Sequence, residues 1–281
     1  MLPLKDDNPT RQPAIVNWLL IAACVIVYFL IQPTGQATLV QHSVNTANSE
    51  VTFDVEHAAI PCEVIHDQPL TDAELRATYL SGNSNACGVG PATSPPDFPH
   101  KAVYLAILYS MFLHGSLLHI GGNMLFLWIF GNNIEDRFGH IPYLLFYLAA
   151  GLVAAAAQIA AQPNSTVPII GASGAIAGVM GAYLVLYPAA KILTYIFPFF
   201  VLRMRAAYVL IFWFASQFFL GSNSDVAWMA HVGGFAFGVI VGLVWRAEAG
   251  HKPASPLPDH PDHPYNPYQP HQPYGPGPYT G

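Results

Sequence analysis

Charge is scarce in this chain. Only 9% of its 281 residues are Asp, Glu, Lys or Arg, against 53% hydrophobic. A soluble domain carries about a quarter charged residues, so this composition excludes an ordinary soluble domain and points to a membrane protein. Acidic residues are missing altogether from six apolar runs: Ala14–Ile31, Gly115–Phe130, Ile141–Ala161, Ser173–Tyr187, Ala206–Leu220 and Val226–Trp245. That absence, and a histidine spacing that fits no standard zinc motif, speaks against a proton- or metal-using transporter or channel. No small-x-small cleavage site followed by a soluble domain comes after the first run, so it reads as a retained helix rather than a signal peptide. Aliphatic residues are almost absent after Leu257. The Pro/His/Tyr-rich tail therefore cannot bury a core and reads as disordered or extended.

The six runs are each long enough, or nearly so, to cross a bilayer core that needs about 20 helical residues. The expected architecture is an all-α membrane bundle of six transmembrane helices. Residues 1–13 form an N-terminal segment, 14–246 the core with a large outer loop at 32–101, and 247–281 the tail. With the N-terminus cytoplasmic, Lys5, Arg11, Arg137, Lys191, Arg203, Arg205, Arg246 and Lys252 fall inside and only Arg76 and Lys101 outside. That bias places both termini in the cytoplasm. The outer loop is acidic and reads as a solvated face, with one short helix within Leu70–Leu80. Cys62 and Cys87 both lie in it, on the oxidising side, either as a disulfide or as two free thiols; Cys24 reads as packing. Ala102–Leu113 is too short to span and is placed at the outer interface. Ile192–Leu202, interrupted by Pro198, is placed along the cytoplasmic interface.

Polar side chains inside apolar spans are costly and mark functional candidates. Helix two opens with FLHGSLLHIGGNM, in which His119 and Asn123, four apart, share a face. Helix four opens with GASGAIAG and puts Ser173 in its first turn; helix six carries His231 in AHVGGFAFG. All three helices run outside to inside with their polar residues near the start, so Ser173, His231, His119 and Asn123 lie at one depth below the outer surface. The set fits acyl transfer: a serine needs a base, and the tetrahedral intermediate needs donors aimed at its oxyanion. The helix-start amides of Ser173 and the side chains of His119 and Asn123 are such donors. Gly174, Gly178 and Ala182 in helix four, and Gly234, Gly238 and Gly242 in helix six, form small-residue stripes that let two helices approach closely. Taken singly, Ser173 reads as a helix cap, His231 as a packed histidine, Asn123 as a bridge and the glycines as packing; together they read as a site.

From about Tyr104 to Trp245 the sequence resembles the rhomboid family. The resemblance rests on Gly171 to Gly174 (GASG), on AHVGG around His231, on His114, His119 and Asn123, and on GNNIEDRFG through Gly131, Glu135, Arg137 and Gly139, which is similar to the family's loop after helix two. It implies an intramembrane serine endopeptidase with Ser173 as nucleophile and His231 as base. His119 and Asn123 would assist the oxyanion, His114, Gly171 and Gly174 would support the site, and Glu135 and Arg137 would be structural. It implies no cofactor and no metal. The partners would be transmembrane protein substrates, cut near the outer end of their helices, and the lipid bilayer, with no nucleic acid. Substrate would enter past helix five, with the loop ahead of that helix as a cap. A catalytically dead relative would lack the serine or the histidine, and both are present. Two departures stand out. KAVYLAILYSMFLH lacks the Trp-Arg pair of many relatives, and Ala177 stands where many carry an aromatic residue that stacks on the base. The compact core, without an organelle-targeting segment, sets a bacterial cytoplasmic (inner) membrane as the expected location.

Overall fold

The computed structural model describes residues 1–33, 46–91, 94–198, 200–220 and 227–251, and within them the chain is mostly helical. Most of the Pro/His/Tyr-rich tail lies outside the described residues. The first long helix, α1 (Ile15–Ile26), continues as a wider π turn over Val27–Ile31. Its leading amides have no intrahelical acceptor. Glu135 supplies one, accepting from Val16 N at 2.9 Å and Asn17 N at 2.7 Å, while Asp136 accepts from Arg11 N and Gln12 N. These acids belong to GNNIEDRFG, which is not a loop. It forms the last turns of a helix that runs on to Phe138 and ends at Gly139, whose φ of 85° suits a residue without a side chain.

The expected outer loop is a folded subdomain; of its acids Glu56, Asp67, Asp72 and Asp97 are exposed, as an acidic face requires, while Asp54, Glu63 and Glu74 are buried. Its helices are α2 (Thr46–His57), α3 (Pro61–His66) and α4 (Asp72–Tyr79). Thr71 and Glu74 close a reciprocal capping box on α4, within the stretch where the sequence predicts a helix. Val55, Ile60, Cys62 and Leu70 make a small core of their own, and Cys62 and Cys87 form a disulfide. Beneath it Lys101 Nζ meets Glu63 at 2.5 Å, both side chains 1% exposed, and also donates to Val55 O. The disulfide and the ion pair anchor this segment, which has no Trp-Arg pair to do so. The chain then makes one short helix, α5 (Ala106–Ser110).

The main body consists of α6 (Leu117–Phe138), α7 (His140–Ala161), α8 (Ser173–Leu186), α9 (Ala206–Leu220) and α10 (Trp228–His251), with α1 against α6. Helix α8 is central and is buried from Gly174 to Tyr183. Its tight seam with α10 follows from missing side chains. A Cβ on Gly234 would collide with the carbonyl oxygen of Gly174, and one on Gly238 with that of Gly178. A Cβ on Gly178 would lie 2.6 Å from Ala150 Cβ of α7. Such close backbone approach is what small residues at helix interfaces allow.

By length and composition, α7 and residues 228–248 of α10 could each cross a membrane; Ile15–Ile31, α8 and Ala206–Phe219 of α9 are shorter apolar helices. Large apolar side chains face outward around the bundle, among them Leu19, Leu118, Ile141, Phe212 and Phe219.

The all-α expectation needs one correction. Strands β1 (Leu2–Asp6), β2 (Lys191–Ile196) and β3 (Phe200–Arg205) form an antiparallel sheet in that order, with Leu2 opposite Tyr195 and Lys191 opposite Arg205. The N-terminal segment is therefore part of the folded body, and the run around Pro198 is a hairpin. Asp6 ties the sheet to the bundle through Tyr183 Oη at 2.6 Å and Asn133 Nδ2 at 2.7 Å.

Candidate active site

Ser173 opens α8, and the segment before it is held from outside the helix. Ile169 N donates to Ala59 O at 2.8 Å, Ala59 N to Ser110 Oγ at 2.8 Å, and Gly171 N to Ser110 O at 2.9 Å. The outer subdomain and α5 thus set where the helix begins. Gly171 has a φ of 121°, and a Cβ there would lie 2.8 Å from His119 Nε2, so both conformation and space demand glycine. The first helical hydrogen bond runs from Ile176 N to Ala172 O, leaving the amides of Ser173, Gly174 and Ala175 ahead of the ladder at the positive end of the helix dipole.

Ser173 Oγ lies 2.7 Å from His231 Nε2, across the seam between α8 and α10. The glycines flanking that seam are the reason a side chain as short as serine can reach. His231 is 9% exposed. Its other ring nitrogen, Nδ1, lies 2.7 Å from Oε1 of Gln217 on α9, and the Trp213 ring flanks it with centroids 5.7 Å apart. Ala177, buried in α8, offers no ring; Gln217 and Trp213 of α9 contact the imidazole instead. Gln217 was not among the residues singled out in the sequence. The signal was there, an amide inside the otherwise apolar run YVLIFWFASQFFL, and the same rule that picked out the histidines applies to it.

His119 and Asn123 come from the first turns of α6. Ser116 caps that helix, its Oγ accepting from His119 N at 3.1 Å. His119 Nδ1 accepts from Gly115 N at 3.4 Å, which puts the ring proton on Nε2. That nitrogen points to Gly171 and the start of α8, where a Cβ built on Gly171 would be 3.6 Å from Ser173 Oγ. Asn123 lies one turn further in and is 8% exposed; its Nδ2 finds no acceptor among the described residues. His114 is fully buried in the preceding loop, its backbone clamped by Gln32 through His114 N to Oε1 at 2.9 Å and Nε2 to His114 O at 3.2 Å. Its ring meets that of His119 edge-on at 5.2 Å and does not reach the Ser173–His231 pair.

The hairpin ahead of α9, expected to cap the site, cannot do so. It follows the C-terminal end of α8, and β1, which pairs with its first strand, is bonded through Asp6 to Tyr183, about three turns along the helix from Ser173. Residues 221–226, between α9 and α10, lie outside the described residues.

The site is thus a serine and a histidine hydrogen-bonded across two helices of an apolar helical bundle, with polar side chains of a third helix nearby. The Rhomboid domain model matches residues 101–248, and the chain belongs to the rhomboid family. Membership of this membrane-embedded family accounts for the outward-facing apolar side chains. The chain is 33% identical to the mitochondrial Rhomboid protein 1 of Saccharomyces cerevisiae over 143 residues, 49% of this chain and 41% of that protein. It is 29% identical to the human mitochondrial Presenilin-associated rhomboid-like protein over 164 residues, 54% and 39% of the two chains. Against the Rhomboid protease GluP of Bacillus subtilis it is 40% identical over 78 residues, 28% of this chain and 15% of that one. The chain spans about two fifths of the length of the first two relatives. Both of those are mitochondrial, so these names do not support the bacterial cytoplasmic membrane expected from the sequence.

Proposed function

We propose that this protein is an intramembrane serine endopeptidase that cuts transmembrane helices of single-span proteins through an acyl-enzyme on Ser173. The observation that carries this reading is the 2.7 Å hydrogen bond between Ser173 Oγ and His231 Nε2. His231 takes the hydroxyl proton as Oγ attacks the scissile carbonyl, then returns it to the leaving amine; water repeats the cycle to release the acyl group. The oxyanion is received by the leading amides of α8, His119 Nε2–H and Asn123 Nδ2–H. Asn123 is the most telling of these, because a buried donor without a partner costs about 1–3 kcal/mol, and an oxyanion would satisfy it.

In this reading α1 and α6 to α10 are the six spans, and the lysines and arginines place both termini in the cytoplasm. Ser173 then lies just below the outer surface, and substrate enters past α9. The cytoplasmic membrane of a bacterium remains the setting proposed from the sequence alone. No cofactor or metal enters the proposed chemistry. Of the described residues only Cys62, His66 and Cys87 gather as possible metal ligands, and the disulfide occupies both thiols.

The test is cleavage of a single-span substrate in proteoliposomes. Wild-type protein is expected to cut it near the outer end of its helix, and Ser173→Ala to leave it intact. Equal cleavage by the two proteins would refute the reading.

A further inference from the structure

We propose that Gln217 is a positioning residue of this site, holding His231 in the tautomer and orientation that make it a base; this rests on the reading of Ser173 and His231 as nucleophile and base. A glutamine side chain donates only through nitrogen and accepts only through oxygen. Gln217 Nε2 lies 3.1 Å from the carbonyl oxygen of Trp213, which can only accept, and 3.3 Å from Ser216 Oγ. The Ser216 hydroxyl gives its own proton to the same carbonyl, at 2.6 Å, and so is free to accept from the amide. The nitrogen end is therefore committed to the turn behind it, and the oxygen end faces His231 Nδ1 at 2.7 Å. An oxygen that accepts requires a proton on Nδ1. In the neutral ring Nε2 then carries the lone pair, pointing at Ser173 Oγ 2.7 Å away.

The geometry thus fixes the direction of proton flow. The Ser173 Oγ–H proton passes to Nε2 as the new C–O bond forms, and the Nδ1 proton stays where it is, bonded to Gln217. The imidazolium so formed has both protons engaged, one by the amide oxygen and one by the group that will leave. When that group departs it takes the Nε2 proton, and the neutral starting tautomer is restored. An acidic residue does this work in other serine hydrolases. A neutral amide does the same orienting without placing a full charge among apolar helices, where an isolated carboxylate is costly. Gln217 is 4% exposed and sits on α9, whereas Ser173 and His231 sit on α8 and α10. The base is therefore aligned only while α9 is seated against α10.

The experiment compares Gln217→Met, close in shape but unable to accept, with Gln217→Glu, which restores an acceptor. Both are assayed for kcat and KM on a single-span substrate, beside wild type and Ser173→Ala. The expected result is a kcat for Gln217→Met lower by about 10- to 100-fold, at or below the lower end of what a positioned base itself contributes, with KM within about twofold of wild type. Gln217→Glu should recover most of that loss. A merely structural role predicts the reverse order, because Met is the better tolerated residue in a buried apolar helix. Gln217→Met at the wild-type kcat, or more active than Gln217→Glu, overturns the role of Gln217 while leaving Ser173 and His231 in place. Cleavage by Ser173→Ala equal to wild type overturns the underlying reading instead. Should a variant fail to fold, wild-type protein carrying ¹⁵N-histidine gives an independent result, with the His231 signals assigned by their loss in His231→Gln. A proton on Nδ1 of the neutral ring is expected, and a proton on Nε2 overturns the proposal.

Discussion

Asn123 spends the resting state with a buried amide nitrogen that nothing among the described residues accepts. Removing one oxyanion donor from a hydrolase costs about 100- to 1,000-fold in kcat. Asn123→Ala is therefore expected to lower kcat by that order with KM little changed. It should also leave thermal stability equal or slightly raised, because the uncompensated polar group goes with it. A loss of stability and a wild-type kcat would make Asn123 a structural bridge. At this scale much of the site was legible. Ser173, His231, His119 and Asn123 are polar groups in spans where polarity is expensive, and that expense is visible in one dimension. Gln217 differs from these four in lying near the end of its helix rather than near the start. Its meaning depends on which ring nitrogen it meets, and that is a property of three helices together. The role of Glu135 was half legible: with Arg137 it reads as structural, but the amides it caps, those of Val16 and Asn17, belong to α1, more than a hundred residues away.

The seam between α8 and α10 is the element on which the Ser–His contact depends. Gly178 faces α7 and α10 at once, with Ala150 Cβ only 2.6 Å from where its own Cβ would be. Gly178→Leu must displace a neighbouring helix, and overpacking of this kind costs about 1–3 kcal/mol. The expected outcome is a lower Tm and loss of cleavage. Gly121→Ala in α6 is the matched control, since a Cβ there meets nothing within 4 Å, and its Tm and activity should stay at or slightly above wild type. Equal behaviour of the two variants would show that the seam is not tight. Helix positions were legible because long apolar runs give them directly. The sheet was not. KILTYI and FVLRMR are short and apolar enough to pass for an interfacial stretch, and their partner LPLKD lies at the other end of the chain, so the pairing has no local signature.

For the molecule as a whole, the outer subdomain sets where α8 begins, so its folding bears on the site beneath it. Here the sequence was half legible: Glu56, Asp67, Asp72 and Asp97 are exposed, as a wet acidic surface should be, but the burial of Asp54, Glu63 and Glu74 cannot be read from composition. Asp54 is 9% exposed. Burial, reinforced by the charge of Glu50, pushes its carboxyl up to about 7. The folded subdomain thus holds a proton that the unfolded chain releases near the ordinary carboxyl value of 3.8. Stability from the neutral group is complete below that value and is lost as pH rises through about 7, by at most about 1.4 kcal/mol per pH unit. Amide protection over Val55–His66 is expected to fall from pH 4 to pH 7 and to be flatter in Asp54→Asn. Protection that rises over the same window would mean Asp54 is ionised in the fold.

The central claim is that Ser173, activated by His231, is the nucleophile of this bundle. The most direct measurement is the site of covalent capture by a fluorophosphonate, which reacts with an activated serine and is mapped by peptide mass. Purified wild-type protein should carry the adduct on Ser173, with no adduct in Ser173→Ala and little in His231→Ala. An adduct of equal yield in Ser173→Ala, or none in active wild-type protein, would contradict the account.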